Sequence, residues 1–109
     1  MTKGMKAIVK VGEKRAVLDT NTDICLYYAQ RGLDPSHRDG VDIYLHITKN
    51  GLKVFYNFEW SLYQNIPDSI ELITEKKARE ELEARISRMS KNEIERVLNI
   101  FPDFLEETA

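Results

Sequence analysis

Apolar and polar residues alternate through residues 41–60, on both sides of one Asn-Gly step. Asn50-Gly51 is the pair preferred in a type I′ two-residue turn, because both central residues of that turn take positive φ. The pattern therefore predicts a central hairpin with one wholly apolar face. Its predicted apolar pairs are Ile47 with Val54, Leu45 with Tyr56, Ile43 with Phe58, and Val41 with Trp60.

The N-terminal segment KAIVKVGEKRAVLDT predicts another hairpin. Glycine at the first position of a two-residue Gly12-Glu13 loop favours a type II′ turn. This loop sets Lys10 opposite Arg15, an unfavourable pair of like charges that a longer loop would avoid. The apolar pairs that follow from the short loop are Val9 with Ala16 and Ala7 with Leu18.

Two shorter segments predict further strands. In TDICLYYAQRG, Ile24, Leu26 and Tyr28 alternate as in a strand, although a helical face through Tyr27 and Arg31 is also compatible with the spacing. The run is short, rich in aromatic residues and ends in glycine, which favours the strand. SIELIT follows a proline-containing loop and predicts a short closing strand.

The C-terminal third predicts two helices. TEKKAREELEARISRM begins at an N-cap, Thr74, and its apolar residues recur at helical spacing. A capping box of Ser90 and Glu93 begins the second helix, which ends before Pro102 because proline lacks the amide donor.

The strands precede the helices, which predicts an α+β fold. We expect a mostly antiparallel sheet of about five to six strands, including both hairpins, with the two C-terminal helices packed on one face. With 109 residues, 42% of them hydrophobic and 31% charged, a single globular domain over residues 1–109 is expected. No apolar run approaches the roughly 20 residues of a membrane span, so we expect a soluble cytoplasmic protein without a membrane partner.

Charge is unevenly distributed along the chain. Residues 1–38 hold seven basic against four acidic groups, whereas residues 90–109 hold two basic against five acidic groups. Such a distribution fits either a charged partner or an ordinary solvated surface.

The predicted central hairpin has a second face with an unusual composition. It would carry two aromatic rings and a histidine beside a lysine and an amide, and these candidate binding residues are Tyr44, His46, Lys53, Phe55 and Asn57. Aromatic rings with basic groups occur on single-stranded nucleic acid platforms and also at protein interfaces. Alternatively, the rings only stabilise the strands, under the first hairpin or residues 61–69. The same register places Asp42 opposite Glu59, an unfavourable pair.

Two further groups of residues have catalytic or ligand-binding chemistry. Cys25 with His46 and either Asp23 or Asp42 would supply the residue types of a thiol triad, but a cysteine within an apolar run is usually a small buried hydrophobe. We therefore predict no catalytic residue.

A polar loop, Asp34, His37, Arg38 and Asp39, has the residue types that hold a metal or a phosphate, although such loops are first of all turns. One cysteine excludes zinc motifs built on cysteine pairs, and we expect no metal and no cofactor.

The order KRAVLDT, YLHITKNGLKVFY and Ile-x-Leu-Ile-Thr-Glu-x-x-Ala-Arg, the last from Ile70 to Arg79, resembles that of a loose group of small bacterial, archaeal and phage proteins. That group shares a T-K-x-G hairpin before such a helix, and the likeness covers residues 14–88. No activity is attached to the group, so the resemblance implies no functional residue. This chain has Glu59-Trp60-Ser61 where the group often has Gly-Glu-Gly.

Together these observations predict a small non-enzymatic binding or regulatory protein that acts through a protein contact, and a homodimer is one such contact. The alternative is a single-stranded nucleic acid binder that uses Tyr44, His46, Lys53 and Phe55. Its phosphate contacts would come from the basic N-terminal segment, namely from Lys10, Lys14 and Arg15. A cysteine-histidine enzyme is the third interpretation.

Overall fold

A computed structural model describes residues 4–32, 37–63 and 65–106. Its strands are β1 (Lys6–Val11), β2 (Lys14–Asp19), β3 (Ile24–Tyr27), β4 (Asp39–Ile47), β5 (Lys53–Ser61) and β6 (Ser69–Ile73). Its helices are α1 (Glu75–Glu83), a 3₁₀ turn (Ile86–Arg88) and α2 (Lys91–Ile100). The predicted α+β class is confirmed, with the strands antiparallel and the helices last.

The strands form two sheets, which build three layers together with the helices. β1 and β2 pair with each other, and the second sheet has the order β3-β4-β5-β6. One core cluster lies between the second sheet and the helices, and its buried members are Leu26, Tyr27, Ile43, Leu45, Phe55, Ala78, Leu82, Val97, Phe101 and Phe104. The other lies between that sheet and the first hairpin, and its buried members are Leu18, Tyr44, Val54, Tyr56, Phe58 and Trp60.

The chain reverses between β4 and β5 through a three-residue loop, residues 49–51, which is closed by the pair Thr48 and Leu52. The sequence predicts a loop of only two residues there. The Gly51 N–H donates to the Thr48 carbonyl at 2.9 Å, and the Thr48 N–H donates to the Leu52 carbonyl at 2.9 Å. Gly51 takes a φ of 82°, whereas Asn50 does not have positive φ. This geometry is a type I turn followed by a glycine bulge. The type I′ prediction is wrong because only one of the two residues enters the left-handed region.

The additional loop residue shifts the pairing of β4 and β5 by one position. Leu45 lies opposite Phe55, and Tyr44 lies opposite Tyr56, so the predicted register is wrong. Because side chains alternate along a strand, the shift moves Phe55 to the helix side of the sheet and Tyr56 to the hairpin side. Both faces of these strands are therefore buried and aromatic.

The first hairpin agrees with its prediction. Gly12 has a φ of 66° in a two-residue loop, and Val9 pairs with Ala16 as predicted. Lys10 does lie opposite Arg15, and both side chains are exposed, where water screens their repulsion.

The predicted strand in TDICLYYAQRG is confirmed as β3. A register shift between Cys25 and Tyr27 leaves Leu26 as an additional residue, which is a β-bulge. The bulge allows Leu26 and Tyr27 to join the same helix-side core cluster, although they are consecutive.

Both helix starts follow the predicted capping chemistry. The Thr74 side chain accepts from the Lys77 N–H at 3.0 Å. Ser90 and Glu93 form the complete capping box. The first helix is shorter than predicted, because α1 ends at Glu83 and the 3₁₀ turn replaces its last part. No helix in the described ranges is long and apolar enough to cross a membrane.

Glu93 also attaches α2 to the sheet. One carboxylate oxygen accepts from the Ser90 N–H at 2.8 Å, and the other accepts from the Tyr28 N–H at 2.6 Å. Tyr28 directly follows β3, so its amide has left the ladder of the sheet. The side chain that begins the last helix therefore also ends the third strand.

Asp42 is a fully buried carboxylate in the middle layer, where a charge is stable only with several partners. It accepts from the Ala29 N–H at 2.8 Å, from Trp60 Nε1 at 3.1 Å, and from both terminal nitrogens of Arg31 at 3.0 and 2.7 Å. The observed register places Asp42 opposite Phe58, so the predicted repulsion from Glu59 is wrong.

Arg31 completes this buried group. Its guanidinium lies 4.0 Å from the ring centroid of Tyr28 and 4.1 Å from that of Trp60. Stacking between two rings stabilises a cation whose water shell has been removed.

Removal of the Arg31 charge should destabilise the fold strongly. Arg31→Met keeps an apolar stem between the rings but leaves the buried Asp42 carboxylate without its cation, which should cost about 3 to 5 kcal/mol. Urea unfolding followed by the fluorescence of Trp60 measures the change in unfolding free energy. Arg79→Met is the matched control, because Arg79 pairs with Asp103 at the surface. Equal losses in the two variants would contradict a central role for Arg31.

A methyl group at Gly40 should also be costly. A Cβ there would lie 2.8 Å from Trp60 Cζ2 and 3.3 Å from the Ala29 Cβ. Trp60 is 2% exposed and has no space to move, so Gly40→Ala should reduce the unfolding free energy by about 1 to 3 kcal/mol. Chemical unfolding followed by circular dichroism measures it. The cost should decrease in a Trp60→Phe background, and an undiminished cost would show that the clash with Trp60 is not its cause.

Candidate functional site

The five candidate residues of the central hairpin do not form one exposed surface. Tyr44 is 6% exposed and lies beneath the first hairpin, whereas Phe55 is 3% exposed and stacks on Phe101 at 5.8 Å. Asn57 is buried opposite Ile43. The prediction of a shared aromatic face is wrong because the register shift separates these side chains onto opposite faces. The alternative, a face covered by the first hairpin, describes Tyr44.

Lys53 and Asn57, the two polar candidates on β5, differ in their exposure to solvent. Lys53 is exposed at the start of β5. The side-chain oxygen Oδ1 of Asn57 has no hydrogen-bond partner among the described residues. A buried amide oxygen without a partner destabilises the fold.

The ring of Tyr44 belongs to a stack inside the molecule. It lies 5.4 Å from the ring of Tyr56, with 10° between the two planes. Burial raises the pKa of both hydroxyls above the ordinary range of tyrosine, and the nearby Asp23 carboxylate raises the pKa of Tyr56 further. Neither hydroxyl is therefore a source of protons near neutral pH.

His46 is oriented by a buried carboxylate. Its Nδ1 lies 2.8 Å from Asp23 Oδ1, and the Tyr56 hydroxyl donates to the other oxygen of Asp23 at 2.7 Å. The same oxygen accepts from the Asp19 N–H at 2.8 Å, at the end of β2. Asp23 thus connects the first hairpin to the central sheet. Its hydrogen bond leaves His46 Nε2 as the ring nitrogen that is available to a ligand.

Cys25 lacks the surroundings of a nucleophile. Burial raises the pKa of its thiol to about 11, and the Asp42 carboxylate adds to this effect. A catalytic thiol needs the opposite shift, since the thiolate is the reactive form. Asp23 does orient His46, as the hypothetical triad requires, but the side chain bonded to the Cys25 thiol is Tyr44 and not His46.

The polar loop lies only partly within the described residues. Asp34 lies outside the described residues, whereas His37 and Asp39 line a cleft of about 670 Å³. Arg38 is exposed, and its carbonyl accepts from the Leu62 N–H at 2.7 Å. Among residues 4–32, 37–63 and 65–106, no three His, Cys, Asp or Glu side chains lie close enough to hold a metal ion.

A second cleft, of about 630 Å³, lies between β2 and the turn that joins β4 to β5. We call it the hairpin cleft, and its lining residues are Val11, Lys14, Arg15, Ala16, Val17, His46, Ile47, Thr48, Lys49, Asn50 and Leu52. Three of them, Lys14, Arg15 and Lys49, are exposed cations, and none is acidic. The cleft therefore has a positive potential.

The hairpin cleft also exposes apolar side chains. The exposed fraction is 52% for Val17, 49% for Ile47 and 53% for Leu52. The apolar pattern predicts Ile47 in the core, but it is the last residue of β4 and lies half-exposed in the cleft. Exposed apolar residues with a basic rim are typical of a surface that loses water on binding. Sequence reasoning had singled out Lys14 and Arg15, but not the apolar residues beside them.

The reactivity of Cys25 should reflect its raised pKa. With a pKa of about 11 instead of the ordinary 9.0, the thiolate fraction of Cys25 at neutral pH is roughly a hundredfold smaller. Iodoacetamide should therefore alkylate the native chain far more slowly than the same chain unfolded in urea. The native rate should also keep rising with pH beyond 9, as measured by mass spectrometry. Fast alkylation at neutral pH would contradict this account and revive the enzyme hypothesis.

The hairpin cleft is thus an open surface that combines cations, exposed apolar side chains and an oriented histidine. The resemblance to small bacterial, archaeal and phage proteins stays a prediction. Comparisons of the chain with protein-family models, with curated proteins and with solved structures gave no match.

Proposed function

We propose that this chain is a small cytoplasmic binding protein that contacts another protein through the hairpin cleft and catalyses no reaction. The observation that carries the proposal is the combination of three half-exposed apolar side chains, Val17, Ile47 and Leu52, with a rim that is only basic. Burial of these side chains by a partner would supply the hydrophobic part of the binding free energy. The cations would select the partner and its orientation.

The buried chemistry elsewhere supports a binding role over catalysis. The thiol of Cys25 holds its proton, and the Tyr56 hydroxyl donates to Asp23. These groups have structural partners that explain why they are buried. No cysteine, serine or carboxylate lines the cleft beside His46, so the histidine has none of these groups to activate there.

A nucleic acid partner has weaker support. The exposed cations Lys10, Lys14 and Arg15 would attract phosphate groups. However, bases bind such platforms mainly by stacking on exposed rings, and Tyr44 and Phe55 are buried. No tyrosine, phenylalanine or tryptophan lines the cleft.

A second copy of the chain is one possible protein partner. Ile8 is 71% exposed on the outer face of the first hairpin, directly opposite Val17. This pair extends the apolar surface from the cleft over the hairpin. A homodimer through this surface would bury both residues.

Selection from a displayed library of short random peptides tests the proposed binding surface. Peptides enriched on the wild-type chain should bind the Leu52→Ser variant about tenfold or more weakly, because Leu52 is one of the three exposed apolar side chains of the cleft. Leu105→Ser is the matched control, because Leu105 is 51% exposed but lies outside the cleft. Peptides that bind wild type and Leu52→Ser equally, or no enrichment at all, would contradict the proposal.

Two further measurements identify the class of partner. Light scattering on the isolated chain detects a dimer, which Leu52→Ser should return to monomer if the cleft is the interface. If the chain is a monomer at every concentration tested, a homodimer is excluded. Titration with single-stranded oligonucleotides at two salt concentrations decides the nucleic acid alternative, because phosphate contacts are strongest at low salt.

A further inference from the structure

The edge of β2 that faces the cleft has free backbone groups. The two-residue loop makes Val11 and Lys14 a hydrogen-bonded pair, and pairing in an antiparallel ladder alternates from there. The amides and carbonyls of Arg15 and Val17 therefore point away from β1. Within the described ranges they have no other backbone partner.

The next outward amide on this edge already binds a carboxylate. The Asp19 N–H donates to Asp23 Oδ2 at 2.8 Å, which ends the free part of the edge. The free part runs from Lys14 to Val17, about 13 Å at the rise of an extended strand. An added segment of about four or five residues matches this length.

The charges around this edge select the occupant. Lys14 and Arg15 lie on β2, and Lys49 lies across the cleft, with no acidic side chain among the lining residues to neutralise them. An added strand with acidic side chains would neutralise these cations, whereas a basic strand would be repelled. The β2 edge of a second copy would bring its own Lys14 and Arg15 toward the same cations, so self-pairing of this edge is disfavoured.

The side chains of an added strand would meet two environments. Arg15 and Val17 belong to the outer face of the hairpin, whereas Ala16 belongs to its inner face. An added strand that alternates acidic and apolar residues has all its carboxylates on one face. On the inner face they would lie beside Lys14 and toward Lys49, and the apolar side chains would then lie on the outer face beside Val17. Exposed edge strands commonly bind extended peptides by strand addition.

We infer that the hairpin cleft binds an extended, acidic segment of a partner protein, which adds as a third strand to the free edge of β2. The inference rests on the proposed function and adds to it the chemistry and conformation of the partner. Main-chain hydrogen bonds to Arg15 and Val17 hold the segment. Carboxylates select it through Lys14 and Lys49, and Arg15 adds to the positive potential of this edge.

Synthetic peptides test the charge preference. The probe is a capped heptapeptide that alternates glutamate and valine, and its control has lysine in place of glutamate. The acidic peptide should bind the wild-type chain more than about tenfold more tightly than the basic one. Lys14→Glu combined with Lys49→Glu should reverse this preference. Both positions are exposed, so the doubly substituted chain should keep its fold, as circular dichroism can verify.

Methylation of peptide amides tests strand addition itself. N-methyl groups on one alternate set of amides in the acidic peptide face β2 and should reduce affinity by about tenfold or more, whereas the other set faces away and should leave it nearly unchanged. Hydrogen exchange at Arg15 and Val17 should slow when the unmodified peptide binds.

Several results would overturn the inference. Equal binding of acidic and basic peptides would remove the charge selection, and equal effects of both methylated sets would remove strand addition. An oligonucleotide that displaces the acidic peptide and binds more tightly would replace it as the ligand. If neither heptapeptide binds while library peptides still depend on Leu52, the inference fails and the proposed function stands. If library peptides also ignore Leu52, the proposed function fails too.

Discussion

The Asp42 carboxylate lies at the centre of the molecule, where three donor groups from two segments surround it. The Ala29 amide and the Arg31 guanidinium come from the chain after β3, and the Trp60 indole comes from β5. A charge buried this deeply is stable in only one arrangement, since each missing donor would leave an uncompensated lone pair. This requirement fixes the path after β3 and the position of Trp60. Gly40 in turn has to be glycine-sized beside that indole.

Local chemistry in the sequence identified the elements well. The N-terminal hairpin follows from glycine at the first loop position, and both helix starts follow from Thr74 and the Ser90–Glu93 box. These features depend on a few neighbouring residues, so a single sequence contains them. The class and the order of elements followed from the same signals.

The register of the central hairpin could not be obtained in this way. Asn50-Gly51 fits a two-residue turn and also the end of a three-residue loop, and the two differ by one position. Normally the apolar pattern decides between the two registers, because one face of the sheet is exposed to solvent and carries polar residues. Here the first hairpin and the helices cover both faces, so apolar side chains occur at odd and even positions alike. The candidate surface depended on that register and was lost with it.

The hairpin cleft is also invisible to local patterns. It exists because the first two strands form a separate sheet, whose edge faces the turn after β4. Lys14 and Lys49 are far apart in the chain, and only the packing of the two sheets brings them to one opening. The sequence did indicate an excess of positive charge near its start, but not the apolar residues that accompany it.

Glu93 connects local and global order in this chain. Its two oxygens serve the first turn of α2 and the amide that follows β3, which are 65 residues apart. Neither segment can fray without removing a hydrogen bond from the other. The C-terminal helix and the sheet should consequently open as one cooperative unit, and the amide of Tyr28 should be protected as deeply as those of the strands.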